Sequence, residues 1–304
     1  MRMCSVWQLR GVTLFLCLTG LVIGMLDVMG LKLAAQAADV GGQIRHATGQ
    51  TVVPVYEGWF EDPNGDIRVA FGYLNRNYEE TIDIPVGSKN KIEPGPPDQG
   101  QPTHFPPRRE KSVFAVAVPK STSDTEITWT LTHRGQTYTI PANLDQVFNI
   151  DALQQRGGEF DGNKPPVLTF SSDGILSQGP AGQTLALTSV VSKPLSLAVA
   201  ITDDGLPPPL EHDVFYSRFE QRSGLAIRPP VIPHGLKVIW SKYRAPGPFV
   251  FSESEVEVAD EVAVTTVTFG LPGEYILRAK AVESPSSFGL CCWTNGYVHV
   301  TVTP

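Results

Sequence analysis

The feature that most constrains the fold is the alternation of apolar and polar residues over short stretches bounded by turn residues. Between Ile67 and Tyr73, apolar side chains fall on every second residue, and the same alternation recurs along the chain. This pattern is typical of half-buried β-strands. Residues 38–151 show no helical periodicity of any length, and the 28 glycines and 26 prolines of the chain cluster between the alternating stretches. The sequence therefore predicts many short strands joined by turns.

The N-terminus has the composition of an export signal. Residues 1–10 carry two arginines and no acid, residues 11–26 are apolar throughout, and Ala34–Ala37 offers the small residues that a signal peptidase recognises. The apolar run is near the short end for spanning a bilayer. We therefore predict cleavage after Ala37 and an exported protein, periplasmic or extracellular. The alternative is a protein anchored in the membrane by this segment.

Cleavage would leave a more acidic chain with two cysteines. It removes three basic residues and one acidic residue from a net charge of −7, which leaves −9. An acidic chain is a poor partner for nucleic acid or anionic lipid, so we expect no nucleic-acid partner and no membrane span after cleavage. The remaining thiols, Cys291 and Cys292, would lie in an oxidising compartment.

The rest of the chain divides into two predicted domains. Residues 38–151 hold six or seven strand-like stretches, interrupted at 85–107 by a loop with seven prolines. Proline lacks a donor and fixes φ, so this loop cannot enter a sheet interior. Residues 152–166 are polar and end in two prolines, as a linker does, and residues 167–304 hold seven strands, the immunoglobulin-like number. The predicted fold class is all-β, with two tandem immunoglobulin-like β-sandwich domains after a signal peptide at 1–37.

Particular residues of the second domain agree with this fold. Trp240, on the third strand, has the place of the buried core tryptophan, and Tyr275 opens the sixth strand where a tyrosine corner would lie. Val298, Val300 and Val302 share one face of the last strand.

Three stretches of this domain also resemble a known family: TDDGLPPP (202–209), WSKYRAPGPFVFS (240–252) and TTVTFGLPGEYILRAKA (265–281). They are similar to the PKD-like, immunoglobulin-like repeats of exported bacterial proteins. The resemblance implies a β-sandwich used for adhesion or as a spacer, and it implies no catalysis. Residues 38–151 resemble only uncharacterised exported bacterial proteins.

The chain departs from the family pattern in two places. An insertion at 206–235 separates the second and third strands, and ESPSSFGLCCWTNG (283–296) replaces a short turn after the sixth. Loops at these positions emerge at the same end of an immunoglobulin-like sandwich. Such loops are where binding concentrates, and the alternative is an insertion that plugs the sheet end with its aromatics buried. The predicted binding surface consists of Phe215, Tyr216, Phe219, Arg222, Phe288, Trp293 and Tyr297.

The adjacent cysteines leave three interpretations open. Neighbouring Cα atoms lie only ~3.8 Å apart, closer than ordinary disulfides span. A Cys291–Cys292 bridge is nonetheless the only intrachain disulfide of the cleaved chain. The alternatives are two reduced thiols and a soft-metal site, and the metal is disfavoured because no Cys or His lies nearby at ligand spacing.

Three carboxylates form a candidate calcium site. Asp203, Asp204 and Glu283 could hold calcium through their oxygens. The interpretation we favour is a turn stabilised by aspartate side chains ahead of Gly205. We expect no other cofactor.

Enzyme signatures are absent from the sequence. It has no Gly-x-Ser-x-Gly, no His-Glu-x-x-His and no phosphate-binding glycine loop after a strand, and its six histidines are scattered. We predict a protein that is not an enzyme: a non-catalytic binding or spacer protein of the cell envelope. Its partner would be a protein or glycan there. The alternative is a secreted hydrolase or its accessory carbohydrate-binding module.

Overall fold

The computed structural model describes residues 45–118, 126–157, 161–170, 174–206, 235–284 and 292–304, and these are almost entirely β-strands and loops. Their only helical element is one 3-10 turn at Gln146–Phe148. In these ranges no helix has the length and apolar character needed to cross a membrane. The predicted signal peptide at 1–37 lies outside the described residues. Residues 46–304 form one compact unit.

The first sandwich contains eight strands that share one core. Its sheets have the orders β1-β2-β6, β4-β7-β8 and β3-β5. The strands are β1 (Val52–Glu61), β2 (Ile67–Asn75), β3 (Ile82–Asp83), β4 (Asn90–Glu93), β5 (His104–Phe105), β6 (Arg108–Ala117), β7 (Thr128–His133) and β8 (Gln136–Pro141).

Aromatic side chains hold the sheets of the first sandwich together. Phe71 on β2 stacks on Phe114 of β6 with ring centroids 5.6 Å apart, and Phe114 meets Trp129 of β7 edge-on at 5.1 Å. All three rings are buried. Contacts of this geometry add to the stabilisation that comes from buried apolar area.

The proline-rich loop is more structured than the sequence predicted. It contributes β4 as an edge strand paired with β7, and β5 paired with β3. The prolines themselves stay outside the strands, since β4 ends just before Pro94 and β5 just before Pro106. The side chain of Asn90 fixes the loop by donating to the carbonyl oxygens of Ile84 and Pro102 at 3.0 and 2.7 Å.

The second sandwich consists of two five-stranded sheets. Their orders are β10-β9-β12-β16-β14 and β11-β18-β17-β13-β15. The strands are β9 (Val167–Phe170), β10 (Ile175–Ser177), β11 (Thr184–Val190), β12 (Leu195–Thr202), β13 (Gly235–Arg244), β14 (Phe249–Phe251), β15 (Glu255–Glu257), β16 (Val262–Phe269), β17 (Gly273–Ser284) and β18 (Trp293–Thr303). The all-β prediction is confirmed.

Predicted core residues of the second sandwich lie where expected. Trp240 is buried between the sheets, and so are Val298, Val300 and Val302. The Tyr275 hydroxyl donates to the carbonyl oxygen of Leu271, four residues upstream, at 2.8 Å. This is the hydrogen bond of a tyrosine corner.

The last strand is longer than the sequence predicted. It was expected to begin at Tyr297, but β18 begins at Trp293 and pairs with β17 from Val282↔Trp293 onward. Thr294 and Asn295, expected in a turn, are therefore strand residues opposite Ala281 and Lys280. Thr294 and Asn295 are both buried. Polar residues of this kind are typical of turns, but they also fit a strand whose outer face is covered by another part of the protein.

Candidate functional site

Both interruptions of the second sandwich start and finish at the same end, here called the loop end. β13 begins there at Gly235, opposite the last residue of β17, Ser284. β18 begins there at Trp293, opposite Val282. Segments 207–234 and 285–291 lie outside the described residues, but the strand ends that bound them are neighbours.

The predicted linker is attached to the loop end. Asn163 is buried and donates its side-chain amide to Glu283 Oε1 at 3.0 Å. The backbone N–H of Lys164 donates to the Asp204 carboxylate at 3.1 Å, and Thr294 Oγ1 donates to the carbonyl oxygen of Pro166. Residues expected to form a polar linker thus pack against the sandwich that follows them.

Only two residues of the predicted binding surface lie within the described ranges, and both are buried. Trp293 is 7% exposed and Tyr297 is 8% exposed. Tyr297 points away from the loop end, with its hydroxyl donating to the carbonyl oxygen of Val113 at 2.6 Å. Neither side chain is therefore available to contact a partner in this structure. Phe215, Tyr216, Phe219, Arg222 and Phe288 lie outside the described residues, and for them the binding surface stays a prediction.

The candidate calcium carboxylates accept hydrogen bonds from the protein itself. Asp203 accepts from the Gly205 N–H at 2.9 Å and Asp204 from the Leu206 N–H at 3.0 Å. These are the aspartate turns weighed as the alternative. Within the described ranges, no three His, Cys, Asp or Glu side chains cluster as metal ligands do. Calcium binding by this set stays a prediction.

Glu283 is a buried acid beside two others. Burial, and then the charge of Asp203, raise the pKa of Glu283 to about 8. The pKa of Asp203 is itself raised by burial. At neutral pH, Glu283 is therefore mostly protonated, which favours a hydrogen-bonding role over cation binding.

Cys292 is fully buried and disulfide-bonded. Its partner lies outside the described residues, so the Cys291–Cys292 pairing stays a prediction. The Cys292 sulfur lies 3.6 Å from the carbonyl oxygen of Asn163. A disulfide sulfur carries no proton, so this is a packing contact, and it adds to the attachment of the linker.

A buried polar cluster joins the two sandwiches, and we call it the junction: Glu110, Ser112 and Val113 of the first, with Arg278, Asn295 and Tyr297 of the second. Asn295 donates to the carbonyl oxygen of Ser112 at 2.8 Å and accepts from Arg278 Nε at 2.9 Å. Arg278 also reaches the Glu110 carboxylate at 3.2 Å. These hydrogen bonds between buried groups restrict how the two sandwiches can be placed against each other.

Lys280 lies at the edge of the junction, where burial changes its pKa. Lys280 lies 3.9 Å from Glu110, and its ammonium is 5.2 Å from the ring centroid of Trp293. Burial, and then the Arg278 charge, lower the pKa of Lys280 to about 8. Lys280 and Trp293 connect the junction to the loop end.

The proline-rich loop supplies a second contact, through residues 98–103, which we call the 98–103 segment. Arg244 of β13 binds Asp98 with both terminal nitrogens, at 2.6 and 2.8 Å, and its Nε donates to the carbonyl oxygen of Gln101 at 2.9 Å. The Thr103 N–H donates to the carbonyl oxygen of Tyr243 at 3.2 Å. The Arg244 hydrogen bonds lower the pKa of Asp98.

A cleft of about 540 Å³ lies beside these contacts. Its charged groups pair with one another: Arg244 with Asp98, and His299 with Glu274 at 2.8 Å. The Arg244 guanidinium and the Asp98 carboxylate therefore compensate each other's charge in the cleft wall.

Sequence reasoning missed the junction. Asn295 and Arg278 sit at strand positions that alternate with core residues and would normally face solvent. The only signal in the sequence is Tyr297, a large ring on the outer face of the last strand, which belongs to the predicted binding surface.

Comparisons with known proteins identify no family for this chain. No family model matches, and no curated protein matches. Solved structures with similarity include the D00-D0 domain of intimin, at 11% identity over 83% of this chain and all of that chain, with a TM-score of 0.26. Domains 4 and 5 of the S-layer protein SbsC match at 10% identity over 59% of this chain and 66% of that chain, with a TM-score of 0.22. Tandem immunoglobulin domains of titin match at 9% identity over 84% of this chain and 99% of that chain, with a TM-score of 0.19.

Proposed function

We propose that this chain is a non-catalytic binding protein of the cell envelope, exported by its N-terminal segment, whose partner is a protein or a glycan. Contact is made through the loop end of the second sandwich. The observation that carries the proposal is the convergence of both interrupted segments on one end, bounded by Gly235, Ser284 and Trp293.

The contacts around the loop end support the proposal that the second sandwich is a rigid base for the binding loops. The linker attachment through Asn163 and the junction through Asn295 hold the second sandwich at two places. Variable loops on a rigid scaffold are the usual arrangement of a binding site. A rigid scaffold also lowers the entropy lost on binding.

The test replaces residues 208–232 with a short Gly-Ser turn and compares capture with that of the wild type. Purified protein is incubated with envelope extract and with a glycan array. We expect a specific ligand that the wild type captures and the loop-replaced variant loses, with an unchanged melting temperature. The control substitutes exposed Val250 by Lys, on an edge strand of the second sandwich. Capture by the loop-replaced variant at the wild-type level would contradict the proposal. Capture of glycans alone would favour a carbohydrate-binding module.

A further inference from the structure

Two cations of β17 share one carboxylate oxygen at the junction. Arg278 Nη1 lies 3.2 Å from Glu110 Oε2, and Lys280 Nζ lies 3.9 Å from the same oxygen. An arginine side chain keeps its proton in proteins, and Arg278 is the nearer of the two cations. Glu110 therefore compensates the charge of Arg278 first, and the charge of Lys280 is compensated only in part.

The other neighbours of Lys280 do not supply the missing negative charge. Its partners on the adjoining strands are Ile239 of β13 and Asn295 of β18, which are both uncharged. The Trp293 ring, with its centroid 5.2 Å from Nζ, attracts an ammonium but does not neutralise it. Lys111, on β6, adds a further positive charge nearby. The surroundings of this amine therefore favour its neutral form.

A lysine in such surroundings is a nucleophile. Lysine amines are activated when they are removed from water or lie next to another cation, and both conditions hold for Lys280, beside Arg278. With a pKa of about 8, about a tenth of the Lys280 amine is neutral at pH ~7. An ordinary lysine, with a pKa near ~10.4, is neutral in only about 0.04% of molecules at that pH. The Lys280 side chain is also 22% exposed, so a small molecule can reach it.

We propose that Lys280 is a site of covalent modification by aldehydes, which it binds as an imine. The nitrogen lone pair attacks the carbonyl carbon, and an electron pair of the C=O bond moves to the oxygen. The adduct then loses this oxygen as water, together with the two hydrogens of the neutral amine, and a C=N double bond forms. Water is the only by-product, and the step needs no oxidant or reductant.

Lys237 is the matched control within the same sheet. It lies opposite Val282, two residues from Lys280 on β17, and therefore on the same face. Its side chain is 31% exposed, slightly more than that of Lys280, and it pairs with Glu255. The two amines differ mainly in the charges around them, so a difference in their reactivity reports on those charges.

The test treats protein expressed from the full chain with limiting formaldehyde, the aldehyde probe, and sodium cyanoborohydride. The hydride donor reduces each imine to a methylamine that survives digestion, and peptide mass spectrometry measures methylation at each lysine. At pH ~7 we expect Lys280 to react at least about fivefold faster than Lys237, since lower basicity offsets part of the gain in neutral amine. The Lys280 rate should level off above a pH of about 8.

A variant tests whether the charges around Lys280 set its reactivity. Glu110→Gln removes the carboxylate that Lys280 shares with Arg278, so the rise of the Lys280 rate should move to lower pH. Methylation of Lys280 in the wild type no faster than that of Lys237 would overturn the proposal, and this comparison needs no variant to fold. An unchanged pH profile in Glu110→Gln would also overturn it. The inference does not depend on the proposed function, because the amine can react whether or not a partner binds at the loop end.

Discussion

The side chain of Asn295, on the last strand, donates a 2.8 Å hydrogen bond to the backbone carbonyl oxygen of Ser112, which lies 183 positions earlier in the chain. The same amide donates to the carbonyl oxygen of Pro180 at 2.9 Å, and its oxygen accepts from Arg278. One fully buried side chain thus satisfies three groups from three parts of the molecule.

Replacing Asn295 by Ala should destabilise the protein strongly. The change leaves buried partners without hydrogen bonds, and we expect the free energy of unfolding to fall by ~2–4 kcal/mol. Urea denaturation measures this, with exposed Gln154→Ala as the control, expected within ~0.5 kcal/mol of wild type. Equal stability of Asn295→Ala and Gln154→Ala would show that the junction contributes nothing.

Glu283 should make the protein less stable as the pH rises. Burial raises the pKa of Glu283 to about 8 in the folded state, whereas an unfolded glutamate titrates near ~4.3. The stability it contributes is therefore fully present below the unfolded pKa, is lost progressively as the pH rises, and is gone above pH about 8.

The measurement compares the free energies of unfolding of wild type and Glu283→Gln from about pH 5 to about pH 9, a series that covers most of the range between the unfolded and folded pKa values. The glutamine mimics the protonated acid, so its curve should be flatter and should lie above wild type at the alkaline end by at least about 1 kcal/mol. Exposed Glu79→Gln serves as the control and should follow wild type. Parallel curves for wild type and Glu283→Gln would refute the assignment.

Arg244→Lys should loosen the 98–103 segment. Lysine keeps the positive charge but cannot bind Asp98 through two parallel hydrogen bonds or reach Gln101 with a third. We expect a loss of ~1–2 kcal/mol and faster amide hydrogen exchange at residues 98–103. Lys237→Ala removes an exposed ion pair with Glu255 and should leave exchange there unchanged. Unaltered exchange in Arg244→Lys would mean that other contacts hold the segment.

The disulfide of Cys292 should pair with Cys291. Mass spectrometry of the unreduced exported protein should show a mass two hydrogens below that of the reduced chain and no free thiol. Digestion should place both cysteines in a single linked peptide. A peptide that joins Cys292 to Cys4 or Cys17 would instead show that the N-terminal segment is retained.

A chelator should leave the melting temperature unchanged. The aspartate turns at Asp203 and Asp204 already occupy carboxylate oxygens with backbone N–H groups, and Glu283 is mostly protonated at neutral pH. A fall in the melting temperature on adding EDTA, reversed by calcium, would support the calcium site.

Periodicity predicted the strands well where one face of a strand is buried and the other wet. The end of β18 is an example, since the buried positions of Val300 and Val302 and the exposed position of Thr301 follow directly from the alternation. Periodicity failed where the first sandwich covers the outer face of a strand. Asn295 and Tyr297 look like solvent-facing residues in the sequence, but in the structure they contact the first sandwich. Short strands such as β4 were missed because proline-rich surroundings hide a pairing of four residues.

The position of Asn295 also sets the order in which the molecule can be assembled. β18 follows every strand of the first sandwich along the chain, yet it supplies side chains that hold that sandwich in place. Domains usually fold one after another as the chain emerges. Here the first sandwich must wait for β18 before its contact surface is covered, so a chain truncated before Trp293 would expose that surface to proteases and to aggregation.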